Sequence, residues 1–236
     1  MSIRSYIRER LARRLQVPQI PFALERLAKV GFQPAQIFDV GAYEGEFAKC
    51  CLGIWSNAKV ACFEPLEHKI IQLQQLASRN PAIQVFPGLL GAKALDKVPF
   101  HESETGSSVL VDHSAQNFPV TFQPVRTVDQ IVQEHFGDRS PDLLKLDVQG
   151  YELEVLKGAE KSLPNMQAIL AEVNLLDIYK DVPLFAELVA WLNERDWVAY
   201  DICALTRRPL DQALWQADFI FVPRNSPLRA NKCWTA

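Results

Sequence analysis

Ile37-Phe38-Asp39-Val40-Gly41-Ala42-Tyr43-Glu44-Gly45 is the stretch on which the fold turns. Its first four residues read as a short buried strand, and Gly41 follows at once. A glycine there lets the backbone turn tightly and approach another group without a Cβ clash. Gly45 opens a helical segment, Glu46 to Leu52. The start of such a helix presents unpaired N–H groups and the positive end of its dipole, which suit a carboxylate or a phosphate.

Working outward, strands alternate with helices. Strands are predicted at Lys59–Phe63, Ile83–Phe86, Leu143–Asp147 and Ala168–Val173. Helices are predicted at Phe22–Val30, Lys69–Arg79, Val128–Phe136, Glu152–Ser162 and Leu184–Arg195. That rhythm predicts an α/β fold, a parallel sheet with helices on both faces. Val98–His101 and Val109–Val111 break it and read as short strands around the polar turn Ser103–Ser108, a hairpin or an insert over the sheet edge. Trp197–Ile202 and Phe219–Val222 finish the chain as strands. Only Cys203 to Asp218 lies between them, with no helical pattern, so their connection reads as antiparallel.

In such a sheet, ligands bind beyond the carboxyl ends of the strands. The second strand ends in Phe63-Glu64-Pro65, and Glu64 follows Gly45 by 19 residues. A carboxylate at about that spacing accepts from both hydroxyls of a ribose. A nicotinamide dinucleotide site, the mark of an oxidoreductase, wants Gly-x-Gly-x-x-Gly. This loop has Asp-x-Gly-x-x-x-Gly instead. Tyr43 takes the place of the second glycine, where a side chain crowds a pyrophosphate. A glycine turn without a ligand is the remaining reading.

Composition sets bounds on all of this. The 236 residues suit one domain, and 48% apolar content supplies a core. With 25 basic and 28 acidic side chains, net charge −3, nothing calls for a nucleic acid partner. Cys50, Cys51, Cys62, Cys203 and Cys233 are odd in number, scattered and without a CxxC pair. They read as free thiols in a reducing compartment. No apolar run has membrane-span length and no signal-peptide order is present, so a soluble, cytoplasmic protein is expected. Ser2 to Leu15 carries five arginines and an apolar face at Ile3, Ile7, Leu11 and Leu15. It reads as a helix that caps the domain, meets a second copy, or lies on a membrane or partner.

Several blocks recur in an order that carries a resemblance. They are Asp39-Val40-Gly41-Ala42, Phe63-Glu64-Pro65, Ser107-Ser108 and Val125-Arg126-Thr127-Val128-Asp129. Then come Lys145-Leu146-Asp147-Val148-Gln149-Gly150-Tyr151-Glu152 with Val155-Leu156-Lys157-Gly158-Ala159, Glu172-Val173, and Asp218-Phe219-Ile220-Phe221. In these blocks, from about residue 35 to 223, the chain is similar to the FkbM family of methyltransferases. The block from Lys145 to Ala159 is the most specific. The resemblance implies a class I methyltransferase (Rossmann-like) fold, a seven-stranded sheet with its last strand antiparallel. Residues 1–34 then form a helical extension, 35–225 the methyltransferase domain and 226–236 a tail, in which Trp234 is a candidate for docking on the body. It implies S-adenosylmethionine as cofactor and a hydroxyl oxygen as acceptor, on a sugar, glycolipid or other small metabolite. The cofactor-binding set is Asp39, Gly41, Ala42, Tyr43, Gly45, Glu64, Pro65, Leu90, Ser108 and Asp147, with Leu89 and Gly91 beside Leu90 as further adenine candidates. Tyr43 departs from the family, which commonly has Asn there. A non-catalytic binding module of the same fold is the other alternative.

Methyl transfer to an alcohol requires alignment of the reacting atoms and a route for the proton. Asp147, Lys145 and Glu172 are the catalytic candidates. Lys145 and Asp147 are two residues apart on one strand and share a face. Asp147, Glu172 and Asn174 converge at neighbouring strand ends. A general base acting without metal is the leading reading; a divalent metal such as Mg²⁺ on these oxygens is the alternative. Helix capping by Glu152 and an ion pair of Lys145 form the structural alternative. Among the histidines, His101 is the candidate, against a surface strand histidine, while His68, His113 and His135 have no evident partners. Ser107-Ser108 reads as a lid or an ordinary turn. The acceptor is expected to enter between Val98–Phe122 and Leu175–Val182, past Tyr179 and Lys180.

Overall fold

The computed structural model describes residues 10–113 and 118–235. Most of the expected N-terminal helix, residues 2–9, lies outside that range. Residues 10–14 are helical, with Leu11 and Leu15 exposed. Arg13 reaches onto the next helix, pairing with Glu25 and lying 4.1 Å from the centroid of Phe22. That helix, α1 (Ile20–Lys29), has Pro21 in its first turn and buries Phe22, Ala23, Leu24 and Leu27. Gly31, with φ 94°, lies just past its end.

The central sheet is built from β1 (Gln36–Val40), β2 (Lys59–Glu64), β3 (Ile83–Pro87), β7 (Leu143–Leu146), β8 (Ala168–Asn174), β9 (Trp197–Arg207) and β10 (Leu214–Pro223). Its spatial order is β3-β2-β1-β7-β8-β10-β9. β1 pairs in parallel with β2 and β7, whereas β10 runs antiparallel to both β8 and β9. This is the class I methyltransferase topology, with the antiparallel strand where the helix-free connection placed it. β1 is buried along its whole length, as expected of a strand covered on both faces. One apolar layer gathers Phe38, Phe63, Leu144, Leu146 and Phe221, and the other Leu24, Ile37, Leu143, Leu170 and Ile220. Strand order reverses beside β1, which opens a crevice at the carboxyl ends of β1 and β7.

α2 (Glu46–Ile54) and α3 (Glu67–Arg79) follow β1 and β2. α4 (Val128–His135) begins at Thr127, whose hydroxyl accepts from Gln130 N in a reciprocal cap. α5 (Glu152–Lys157) is shorter than the expected Glu152–Ser162. Gly158 follows its last turn, and a Cβ there would lie 2.0 Å from the carbonyl oxygen of Gly91, so two backbones meet at a point only glycine can occupy. α6 (Phe185–Asn193) precedes the final antiparallel pair.

The middle insert corrects the hairpin expectation. β5 (Leu95–His101) pairs antiparallel with β6 (Val120–Arg126), and β4 (Leu89–Leu90) adds in parallel to β6. Val109–Val111 is not a strand. A single bridge joins His101 to Ser108, and the Ser108 hydroxyl then bonds Gln149 O and Leu110 N, turning the chain inward before a ladder forms. Pro124 disguised β6. It lies between the pairs Val98–Gln123 and Leu95–Val125, where the register shifts and no ladder hydrogen is needed.

Candidate active site

The loop after β1 is fixed by backbone bonds. Gly41 N and Ala42 N both donate to Phe63 O, at 3.0 and 3.1 Å, and Asp147 N donates to Val40 O at 3.1 Å. Gly41 has φ 76°, and a Cβ on it would stand 1.9 Å from Asp147 O. Backbone therefore touches backbone between the first loop and the end of β7, which only glycine allows. Gly45 serves a different contact: a Cβ there would meet Leu76 at 2.8 Å and Leu73 at 3.0 Å, both on α3.

Glu64 closes β2 inside a cleft of about 150 Å³. Tyr43 N donates to its Oε2 at 2.8 Å and Leu66 N to its Oε1 at 3.0 Å. Burial raises the Glu64 pKa, opposed by these two N–H groups. Apolar side chains of Phe63, Leu66, Leu89, Leu90, Phe100 and Val109 wall one part of the cleft. Asp147, Gln149 and Tyr151 close its other end, and Glu104, Thr105 and Ser107 of the insert roof it.

Of the cofactor-binding residues expected from sequence, Gly41, Tyr43, Glu64, Pro65, Leu90 and Asp147 line this cleft. Asp39, Ala42, Gly45 and Ser108 do not. Asp39 is fully buried, with Lys145 Nζ 3.0 Å from its Oδ1. Ala42 packs into the core. Ser108 faces inward to Gln149 O at 2.7 Å, so Ser107 is the serine at the cleft. Gly91 packs against Val125 and Tyr151.

Lys145 is likewise beneath the cleft. Its ammonium donates to Gly41 O at 2.7 Å and lies 3.5 Å from Asp147 Oδ2. Burial disfavours its charge, but the carboxylates of Asp39 and Asp147 outweigh that and raise its pKa. It is a fixed cation tying the loop to β7. Burial in turn raises the pKa of Asp39, against the attraction of Lys145.

Asp147, Glu172 and Asn174 do converge, through two glutamines the sequence reading passed over. Gln149 Nε2 donates to Asp147 Oδ1 at 3.0 Å and to Glu172 Oε1 at 3.1 Å. Gln216 Nε2 donates to Glu172 Oε1 at 2.6 Å and to Asn174 Oδ1 at 3.2 Å. Tyr179 Oη donates to Gln149 Oε1 at 3.0 Å, which sets the orientation of that amide. Burial pushes the Glu172 pKa well up, and the charges of Asp147, Glu152 and Asp218 add to it. Burial pushes Asp218 up to about 6. Glu152, the first residue of α5, does not cap the helix as expected: it accepts Val148 N and Gly150 N of the preceding turn at 3.0 and 3.2 Å, with burial pushing it up to about 7.

These contacts bear on the metal alternative. Amide hydrogens occupy Asp147 Oδ1, Glu172 Oε1 and Asn174 Oδ1, and Glu172 Oε2 has no donor among the described residues. Among the described residues, no three His, Cys, Asp or Glu side chains are placed to hold an ion.

Among the described residues, main-chain bonds bridge the expected acceptor entrance. His113 N donates to Ile178 O at 2.9 Å and Lys180 N to Val111 O at 2.8 Å, and Tyr179 is buried. His101, half-buried at the end of β5, does not line the cleft. His68 does have a partner, Glu104, at 3.3 Å. Gln149 was the legible omission, since it sits inside the Lys145–Glu152 block and has φ 52°. Glu104, in a polar turn without local pattern, gave no signal.

Among the described residues, no helix is long and apolar enough to cross a membrane. No curated protein matches the sequence. Among solved structures, an FkbM methyltransferase from Methylobacillus flagellatus KT is similar, with 20% identity and a TM-score of 0.52 over 78% of this chain. The chain spans 43% of that protein's length. A caffeoyl-CoA O-methyltransferase assigned in Staphylococcus aureus aligns over 94% of this chain and 93% of its own, at 12% identity and a TM-score of 0.49. The family model described as the methyltransferase FkbM domain matches residues 39–198, more than half of the chain. With its sheet order, its glycine turn against β7 and its buried Glu64, the chain belongs to the FkbM methyltransferase family.

Proposed function

We propose that the chain is an S-adenosylmethionine-dependent O-methyltransferase acting on a hydroxyl of a sugar, glycolipid or other small metabolite. The observation that carries this reading is Glu64, a carboxylate clamped by two backbone N–H groups at the wall of an apolar cleft. Each oxygen keeps a lone pair beyond its N–H, enough to accept the two hydroxyls of a ribose. The walls of Phe63, Leu66, Leu89 and Leu90 suit a flat base. Gly41 brings bare backbone to the cleft, and Asp147 supplies a carboxylate there whose negative charge would suit a sulfonium.

When bound, the cofactor supplies an already activated methyl group. The chain's task is alignment, worth roughly 7–11 kcal/mol in favourable cases, and removal of the acceptor proton. Glu172 is the candidate for the second role: it does not line the cleft but meets it through Gln149, and in its ionised form its buried carboxylate is a stronger proton acceptor than an exposed one. Gln149 and Gln216 both donate to its Oε1, so Oε2 is the oxygen without a donor among the described residues. Lys145 holds Asp39, Asp147 and the glycine loop in register.

Calorimetry with S-adenosylmethionine and, separately, NADH tests the reading. Binding of the first alone is expected. Binding of NADH alone would overturn it. A screen of sugars and other hydroxylated metabolites with radiolabelled methyl donor identifies the acceptor.

A further inference from the structure

Tyr43 is the loop residue that departs from the family pattern, and its hydroxyl has a partner across the cleft. Oη donates to Glu104 Oε2 at 3.0 Å. Lys69 Nζ stands 3.8 Å from the centroid of the Tyr43 ring, 2.7 Å from Glu44 and 3.4 Å from Glu104. His68 Nε2 lies 3.3 Å from Glu104 Oε1. Tyr43 and Glu104 both have φ 47°, in the left-handed region that bulky residues avoid. Such strain persists only where surrounding contacts enforce it, and it concentrates at ligand clamps and switches.

The insert segment 103–113 is attached differently on its two sides. On the side of β7 and β8 it is stitched by main chain and buried groups. Lys180 N and His113 N complete backbone bonds with it, and Ser108 Oγ donates to Gln149 O. On the side of the glycine loop, among the described residues, it is held by the side chain of Glu104. That side chain is 62% exposed and His68 is 51% exposed, so water competes for the Glu104 carboxylate, although Lys69 beside it is buried. A segment fixed by buried backbone on one edge and by exposed side chains on the other opens at the second edge. That edge borders the cleft, since Tyr43, Glu104, Thr105 and Ser107 all line it.

We propose that Tyr43 and Glu104 form a latch that closes residues 103–108 over the cleft, and that its opening sets the rate at which the cofactor enters and leaves. The identity of the ligand rests on the cofactor reading above; the latch itself does not. Lys69 stiffens it by sitting under the ring and beside the carboxylate. The Tyr43 hydroxyl and the Lys69 ammonium hold the Glu104 carboxyl below its usual range, so the latch carboxylate stays charged.

Tyr43→Phe and Glu104→Gln each remove one half of the latch while keeping size and shape. Amide hydrogen exchange over residues 103–108, followed by mass spectrometry on ligand-free protein, is expected to rise about tenfold in both variants. Association and dissociation rates of S-adenosylhomocysteine, followed by stopped flow, are expected to rise together, so that Kd changes far less than either rate. Loss of a direct ligand contact would raise dissociation alone. Unchanged exchange in both variants overturns the latch, and faster exchange with unchanged association overturns the gate. Failure of the wild-type protein to bind S-adenosylhomocysteine overturns the cofactor reading, while the exchange result still decides the latch.

Discussion

Lys145 Nζ stands 3.0 Å from Asp39 Oδ1, with both side chains buried directly beneath the glycine loop. The pair is the electrostatic floor of the cleft. Removing one member of a buried pair strands the other charge. Lys145→Met is therefore expected to destabilise the fold by about 3–5 kcal/mol in chemical denaturation at pH 7. The loss should shrink in acid, because Asp39, whose pKa burial already raises, then protonates and needs no partner. Equal losses at neutral and acid pH would show that packing, not charge, is what Lys145 provides.

Glu64 makes a prediction about affinity. Glu64→Gln keeps the side chain's volume but turns one acceptor into a donor facing Tyr43 N or Leu66 N. Charge-assisted bonds contribute about 1.5–3 kcal/mol, so S-adenosylmethionine binding should weaken roughly 10–100-fold in calorimetry. An unchanged Kd would remove Glu64 from the ribose role.

Gly41→Ala tests the backbone contact under the cleft. The new Cβ would fall 1.9 Å from Asp147 O, at a φ of 76°. A destabilisation on the order of 3 kcal/mol is expected, with loss of cofactor binding in whatever protein remains folded. A variant as stable as wild type would mean that the loop and β7 separate easily.

Asp218 sets a pH dependence. It lies opposite Glu172 in the sheet, and burial pushes its pKa from 3.8 to about 6. A raised acid costs nothing below its unfolded pKa, where both states are protonated. As pH climbs from there towards 6, the unfolded chain gains from ionising and the folded one does not, so stability falls. Asp218→Asn is expected to match wild type near pH 3 and to exceed it by about 2–3 kcal/mol at pH 7 in urea denaturation. A constant difference across that range would contradict the assignment.

Much of this was legible from residues alone because it is written locally. The run Ile37–Gly45, the strand end Phe63-Glu64-Pro65 and the helix-free span before the last strand are short-range patterns. They report a backbone turn, a carboxylate at a strand end and an antiparallel return. The parallel sheet with an antiparallel return, the glycine turn and the place of Glu64 at the end of β2 follow from them. Elements with broken local signals were misread. β6 carries Pro124 inside it, and α5 stops at Gly158, where a backbone 67 residues away, at Gly91, leaves no room for a Cβ.

Tertiary structure alone decided which loop residues face the cleft. Asp39 and Tyr43 are four residues apart, yet Asp39 turns under the sheet to Lys145 while Tyr43 reaches across to Glu104. The same holds for Gln149, which meets Glu172 and Tyr179 only because β7, β8 and the segment after β8 end side by side. Local sequence determines backbone direction and burial through side-chain size and turn chemistry. Pairing of charges and amides depends on distances between distant segments, and those exist only once the sheet has assembled.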